Sequence, residues 1–217
     1  MTGMTAAPPP TASTPDGRRP GLRERKKTKT REAIRAATYT LIEEQGWEAT
    51  TIDRIAARAE VSPSTVLRYF PAKEDIVVTD ASDAYDALLL AEIRRRPPAE
   101  PWPDTVRHVL RQAVLRGAEE DARTCRLRTR LMVQVPAVRS RMRESMAGTG
   151  RMLCRAIGER TGRDPDGLEV RVHAMALVGG LMETSLYWAE KGHRDDLASL
   201  ADRALDVLAH GLTGENG

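Results

Sequence analysis

No uninterrupted apolar stretch in this 217-residue sequence approaches the roughly 18 residues that a membrane span requires. Its first residues are small and proline-rich, not basic and then apolar, so neither a spanning helix nor a secretory leader is expected. The expectation is a soluble cytoplasmic protein with no membrane partner. Cysteine is scarce: Cys125 and Cys154 stand apart without CxxC or Cys/His ligand spacing, and reduced, buried thiols are the ordinary reading. The histidines His108, His173, His193 and His210 are scattered, with no HExxH, no paired ExxH and no nucleophile elbow. These absences leave no catalytic residues, metal ligands or cofactor to nominate, and they count against an all-helical enzyme. No alternating apolar pattern of a β-strand and no internal repeat is present either.

A net charge of +3 and a pI near 9.1 are too mildly basic to argue for nucleic acid by themselves. The distribution says more. Between Arg18 and Arg31 the bases include Arg18, Arg19, Arg23, Arg25, Lys26, Lys27, Lys29 and Arg31 against Glu24, whereas acids outnumber bases over residues 32–80. The positive field is concentrated in an arm that is expected to be flexible. Residues 1–20 have almost no bulky apolar side chain to offset the entropy of ordering, which predicts a disordered tail.

Helical periodicity begins near Lys27 and carries Ala33, Ile34, Ala37, Leu41 and Ile42 to Gly46, a suitable helix end. Thr50, three residues before Asp53, looks like a capping-box start for a second, short helix that ends near Ala59. After a turn at Glu60 and Val61, Ser62 is a good N-cap and Pro63 falls at the first helical position, where its missing N–H costs nothing. The third helix runs to about Phe70. Pro71 stops it, and Lys73 opens one long fourth helix towards Arg94–Arg96. A proline-rich loop at 97–103 follows, then helices at about 103–119, 122–134, 136–161, 165–191 and 195–212, broken at Pro136, at Gly162 to Pro165 and at Gly192.

Two short helices joined by a tight turn can project the second into a DNA major groove. The run TIDRIAARAEVSPSTVLRYFPAKED, preceded by KTKTREAIRAATYTLIEEQGWEATT, closely resembles the DNA-binding domain of the TetR/AcrR family over roughly residues 25–78. The resemblance implies an all-α chain: a helix-turn-helix domain with its basic arm over 21–72, then a larger helical effector-binding and dimerisation domain over 73–217. Val66 and Phe70, four apart, should pack on Ile52, Ile55 and Leu41. On the outer face Ser64, Thr65, Leu67 and Arg68 are the candidates for reading bases, beside the turn residues Ser62 and Pro63. Arg68 either reads a guanine or meets a phosphate or solvent. Tyr69 matches the family position whose hydroxyl meets a phosphate, and Lys73 adds charge at a helix N-terminus. Thr50 and Thr51 either hold a phosphate or simply cap the helix. The arm residues Arg23, Arg25, Lys26, Lys27 and Lys29 match family extensions that follow the DNA backbone or enter the minor groove. The sequence departs from the family at Glu60, where glycine is frequent, at Leu67, where tyrosine is frequent, and at Ala72, where a capping serine is frequent. An operator therefore does not carry over from relatives.

The second half resembles the family more weakly. Val172, Met175, Ala176, Gly179, Leu186, Leu205 and Leu208 form an apolar seam that serves either a homodimer interface of the last two helices or an internal core. A small-molecule effector pocket is expected among Leu89, Trp102, Val106, Leu110, Leu127, Arg128, Leu131, Met132, Met146, Met182 and Trp188, each of which also suits plain core. No acid interrupts the run holding Arg123, Arg126, Arg128, Arg130, Arg139, Arg141 and Arg143, which either cradles an anionic group or faces solvent. The N-terminal pattern is similar to the branch of the family that binds acyl-CoA-like ligands. Together these imply a ligand-responsive repressor of a palindromic double-stranded DNA operator, with an effector-free architectural DNA-binding dimer as the alternative.

Overall fold

A computed structural model describes residues 22–78 and 82–212, and its regular structure there is entirely α-helical. The helices are α1 (Leu22–Ala49), α2 (Ile52–Arg58), α3 (Pro63–Tyr69), α4 (Lys73–Val78), α5 (Ser82–Arg95), α6 (Trp102–Gln134), α7 (Pro136–Thr161), α8 (Leu168–Glu190) and α9 (Leu197–His210). The tail at 1–20 lies outside the described residues, as do 79–81 within the expected long fourth helix.

Three sequence expectations need correction. The basic residues Arg23 to Lys29 belong to α1, so the arm is a helix and not a loose strand of chain; Arg, Lys and Glu are good helix formers, and no proline stands between Gly21 and Ala49. The break expected between 119 and 122 does not occur. α6 runs unbroken for 33 residues, because its interior holds no proline and the lone Gly117 costs only about 1 kcal/mol relative to alanine. The second helix is capped one residue later than expected: the Thr51 side chain accepts from Arg54 N–H, while Thr50 is fully buried and its hydroxyl donates to the Gly46 carbonyl at 2.8 Å.

Gly46 does end the regular part of α1, with φ 82° and ψ 170°. The carbonyls left over beyond it find partners, since Ala49 O accepts from Gln45 Nε2 and from Arg54 Nη1. The turn between α2 and α3 places Glu60 at φ 55°, the left-handed conformation that explains why glycine is common there. Ser62 caps α3 by accepting from Thr65 N–H at 3.1 Å, with Pro63 in the first turn. At α4 the missing capping serine is replaced from inside the helix: the Asp75 carboxylate accepts the Ala72 N–H at 3.0 Å, one half of a capping box.

Two hydrophobic cores divide the molecule at one helix. Ile34, Leu41, Ile55, Ala56, Val66, Phe70 and Ile76 form the first, with Ile52 packed against it. Tyr39, Ile42, Val77, Leu127, Leu131, Met132 and Val138 form the second. Adjacent residues of α4, Ile76 and Val77, therefore sit in different cores, and α1 offers one face to each. A boundary drawn at 72/73 is a boundary in sequence; in packing, α1 and α4 belong to both halves. Further from the helix-turn-helix, Trp102 packs against three smaller clusters built on α5 to α9, and its Nε1 donates to His173 Nε2 at 3.0 Å. Arg160, 9% exposed, secures the α5–α6 loop by donating to the carbonyls of Ile93, Arg96, Pro97 and Glu100.

Candidate nucleic-acid interface and effector clefts

The periodicity of α3 turns Val66 into the core, with Phe70 just beyond the helix, and leaves Pro63, Ser64, Leu67 and Arg68 exposed on the opposite face. Thr65 and Tyr69 are half-buried. At the N-terminus of α3 the Ser62 hydroxyl lies 2.9 Å from both Ser64 Oγ and Thr65 Oγ1, a compact group of short donors and acceptors at the helix start. Arg68 makes no ion pair with another described residue; its guanidinium lies 5.5 Å from the Tyr69 ring centroid. Leu67 is 47% exposed and offers an apolar surface where the family often has a hydroxyl.

The other sequence candidates fall less uniformly. Thr51 is exposed at the α2 N-cap, whereas the buried Thr50 side chain cannot reach a phosphate. Lys73 is held back against α1, with Nζ donating to the Trp47 carbonyl at 2.9 Å and lying 4.0 Å from the Trp47 ring centroid. Burial lowers its pKa, opposed by the charges of Glu48 and Glu74. Arg23, Arg25, Lys26, Lys27 and Lys29 are exposed on the first turns of α1. Arg31, which the sequence placed at the end of the basic run, and Arg35, which it did not single out, hold their guanidiniums 5.1 and 5.7 Å from the Phe70 ring centroid. The four-residue spacing of these arginines on α1 was the available signal.

The proposed effector liners are distributed over several clusters. Leu127, Leu131 and Met132 lie in the core beneath α1 and α4. Leu89 belongs with Val109 and Met152, while Val106, with Leu110 and Trp102 against it, packs on Leu177 and Leu205. Met182 and Trp188 are buried in α8, and Arg128 and Met146 are half-buried. Of this set Leu127 lines an open cleft. That cleft, about 460 Å³, is bounded by Glu43, Ala122, Arg123, Arg126, Leu127, Arg130 and His193. A second, about 260 Å³, lies between α5 and α7 and is lined by residues that include Arg94, Arg96, Glu159 and Arg160. Its charges are already paired: Arg94 grips Glu159, and Arg96 with Thr105 holds the Glu100 carboxyl down to about 2.

The arginine run also separates by role. Arg141 binds Asp75 and Glu144, Arg139 donates to the Val133 carbonyl, and Arg123 pairs with Glu43 across from α6 to α1. Arg126 and Arg130 face the larger cleft.

On α8 and α9, Val172, Met175 and Leu208 of the expected seam are exposed at 59%, 43% and 41%, and Leu168, Val207 and Leu212 extend the same kind of surface. Leu205 is instead buried against Val106 and Leu177, and Leu186 packs on the second core. Among the described residues no cluster of His, Cys, Asp and Glu has the makings of a metal site.

Comparison with known proteins agrees with this arrangement. The family model described as bacterial regulatory proteins, tetR family, matches residues 34–78, and the MftR C-terminal domain model matches residues 100–213. The chain is similar to the HTH-type transcriptional regulator TcmR of Streptomyces glaucescens, 36% identical over 211 residues that cover 92% of this chain and 91% of that protein. Its fold is similar to Thermus thermophilus FadR, a transcriptional repressor solved with lauroyl-CoA, at 24% identity and a TM-score of 0.55, over 86% of this chain and 97% of that one. It is also similar to Bacillus subtilis FadR, solved with stearoyl-CoA, at 21% identity and a TM-score of 0.57, over 83% and 98%.

Proposed function

The chain belongs to the TetR family of bacterial transcriptional regulators, and from that membership we propose that it acts in the cytoplasm as a homodimeric repressor of a palindromic operator, released by an acyl-CoA-like effector. The observation that carries the DNA half is α3 itself: a capped helix with its inner face in the core, and an exposed Arg68, without an ion-pair partner among the described residues, beside the Ser62–Ser64–Thr65 hydroxyls. A guanidinium in that position can bond a guanine edge in two places, and short hydroxyls can meet either bases or phosphates. The exposed basic turns at the start of α1 supply a sequence-independent grip on the backbone. Apolar surface at Val172, Met175 and Leu208 supports pairing of α8 and α9 with a second copy, which would set two α3 helices one DNA turn apart.

Lauroyl-CoA and stearoyl-CoA in the two FadR structures support an acyl-CoA-like effector here. The helix that would transmit its presence is α4, anchored to α1 through Lys73 and Trp47, to α7 through Asp75 and Arg141, and buried in both cores. An effector that favours one placement of α4 shifts the spacing of the paired recognition helices by no more than its own preference between the two states. The relatives are regulators, and a purely regulatory, non-enzymatic role follows from the same reading.

Selection of duplexes from a random pool, followed by salt titrations of wild type and Arg68→Ala on the winner, tests the reading. A palindromic winner is expected, with a steep salt dependence and with Arg68→Ala costing about 1–3 kcal/mol at one symmetric base position. Failure to enrich any sequence above non-specific binding would overturn it.

A further inference from the structure

The larger cleft has a charge pattern that neither the fold nor DNA binding requires. Arg123, Arg126 and Arg130 occupy successive turns along one stripe of α6, where like charges three and four apart repel by a few tenths of a kcal/mol per pair. Opposite them stands His193 in the turn between α8 and α9, with φ 59°, a conformation that costs a side-chain-bearing residue about 1–2 kcal/mol. The ring is fixed from two sides: Thr129 Oγ1 lies 2.9 Å from Nε2, and Trp188 meets it edge to face at 4.4 Å between centroids. Burial, with Arg126 and Arg130 nearby, lowers the His193 pKa, so the imidazole is a neutral hydrogen-bonding group beside concentrated positive charge. Among the described lining residues the single carboxylate is Glu43, and it is engaged by Arg123. Neither Arg126 nor Arg130 makes an ion pair with another described residue.

Guanidiniums from three turns of one helix lining a space of about 460 Å³ are what an anion with several oxygens needs, and the volume lies in the range of small-molecule sites. The floor is Leu127, which belongs to the core shared with Leu131, Met132 and Val77 of α4. Charge at the rim and apolar side chains beneath suit an amphiphile with a phosphorylated end.

We propose that this cleft is a polyanion site that takes the phosphate-bearing end of the effector, and that the bound phosphate competes with Glu43 for Arg123. Because Glu43 is on α1 and Arg123 on α6, that competition breaks a direct tie between the DNA-binding helices and the effector domain. The chemical class, a phosphate ester or pyrophosphate joined to an apolar body, deepens the acyl-CoA-like reading and rests on it, but the anion site is testable by itself.

Inorganic pyrophosphate titrated into the full-length protein at constant ionic strength, by calorimetry and by tryptophan fluorescence with Trp188 as the local reporter, measures the site without an acyl chain. Wild type should bind, Arg126→Ala/Arg130→Ala should weaken binding at least tenfold, and Glu43→Gln should tighten it severalfold by removing the competing carboxylate. Both arginines are exposed, so the double variant should keep its melting temperature, and Arg126→Gln/Arg130→Gln provides a second test of the same loss. Equal pyrophosphate affinity in wild type and the double variants, or weaker binding by Glu43→Gln, would overturn the assignment. Lauroyl-CoA added to the protein–DNA complex separates the two levels. Release that is identical in wild type and the double variant leaves the effector reading standing and sinks the cleft; pyrophosphate binding through the arginines without release by acyl-CoA sustains the cleft and sinks the acyl reading.

Discussion

Breaking the Asp75–Arg141 pair should destabilise the protein and alter how its two halves communicate. The Asp75 side chain is 3% exposed and that of Arg141 42%, so this pair lies between the fully buried case, where removing one partner costs about 3–5 kcal/mol, and the exposed case, worth about 0–1. An intermediate cost of about 2 kcal/mol follows for Arg141→Met, which leaves the buried carboxylate without its guanidinium. Asp75→Asn should cost less, about 1 kcal/mol, because the amide oxygen can still accept the Ala72 N–H that starts α4. In a double-mutant cycle read by urea unfolding, the pair should show a coupling energy of about 1–2 kcal/mol. Asp75→Asn should also retain operator binding while shifting the effector concentration needed for release, since the cap on α4 persists and the link to α7 does not. Two effects that add to within about 0.3 kcal/mol, with an unchanged release curve, would refute the link.

Two other perturbations have clear signs. Glu60→Gly should raise stability by about 0.5 kcal/mol, because relief of the left-handed strain of about 1–2 kcal/mol exceeds the entropy glycine loses on folding; a lower urea midpoint would contradict the strain assigned to that turn. His173, beside Trp102, has its pKa lowered by burial, so the unfolded chain takes up its proton more readily than the folded one. Its contribution to stability is complete above the ordinary imidazole value of about 6.5 and is lost as pH falls through the lower folded value, and His173→Gln should flatten that part of the stability–pH curve.

The helix-turn-helix was legible because its determinants are local. Ser62 and Pro63 start α3 by capping chemistry that acts within one turn, and the spacing of Val66 and Phe70 assigns the buried face without reference to the rest of the chain. Gly162 and Pro136 bound α7 in the same local way. Local signals failed where neighbouring residues compete for one role, as Thr50 and Thr51 do: both can cap, and only the packing of α1 on α2 decides that Thr50 is inside. Nor could sequence pattern say which apolar residues share a chamber, because periodicity identifies the buried face of a helix and not the partner that covers it. The expected liners accordingly fell into separate clusters.

By itself, then, the chain's order of residues determined an all-helical protein with a recognition helix, a basic leading segment and an arginine-rich stretch in the larger domain. Tertiary structure decided which arginines are spent on neighbours and which converge on a cleft. Glu43, Arg123 to Arg130 and His193 come together from distant parts of the chain because α1, α6 and the α8–α9 turn pack there, and charge interactions depend on separation in space, which residue spacing does not encode across helices.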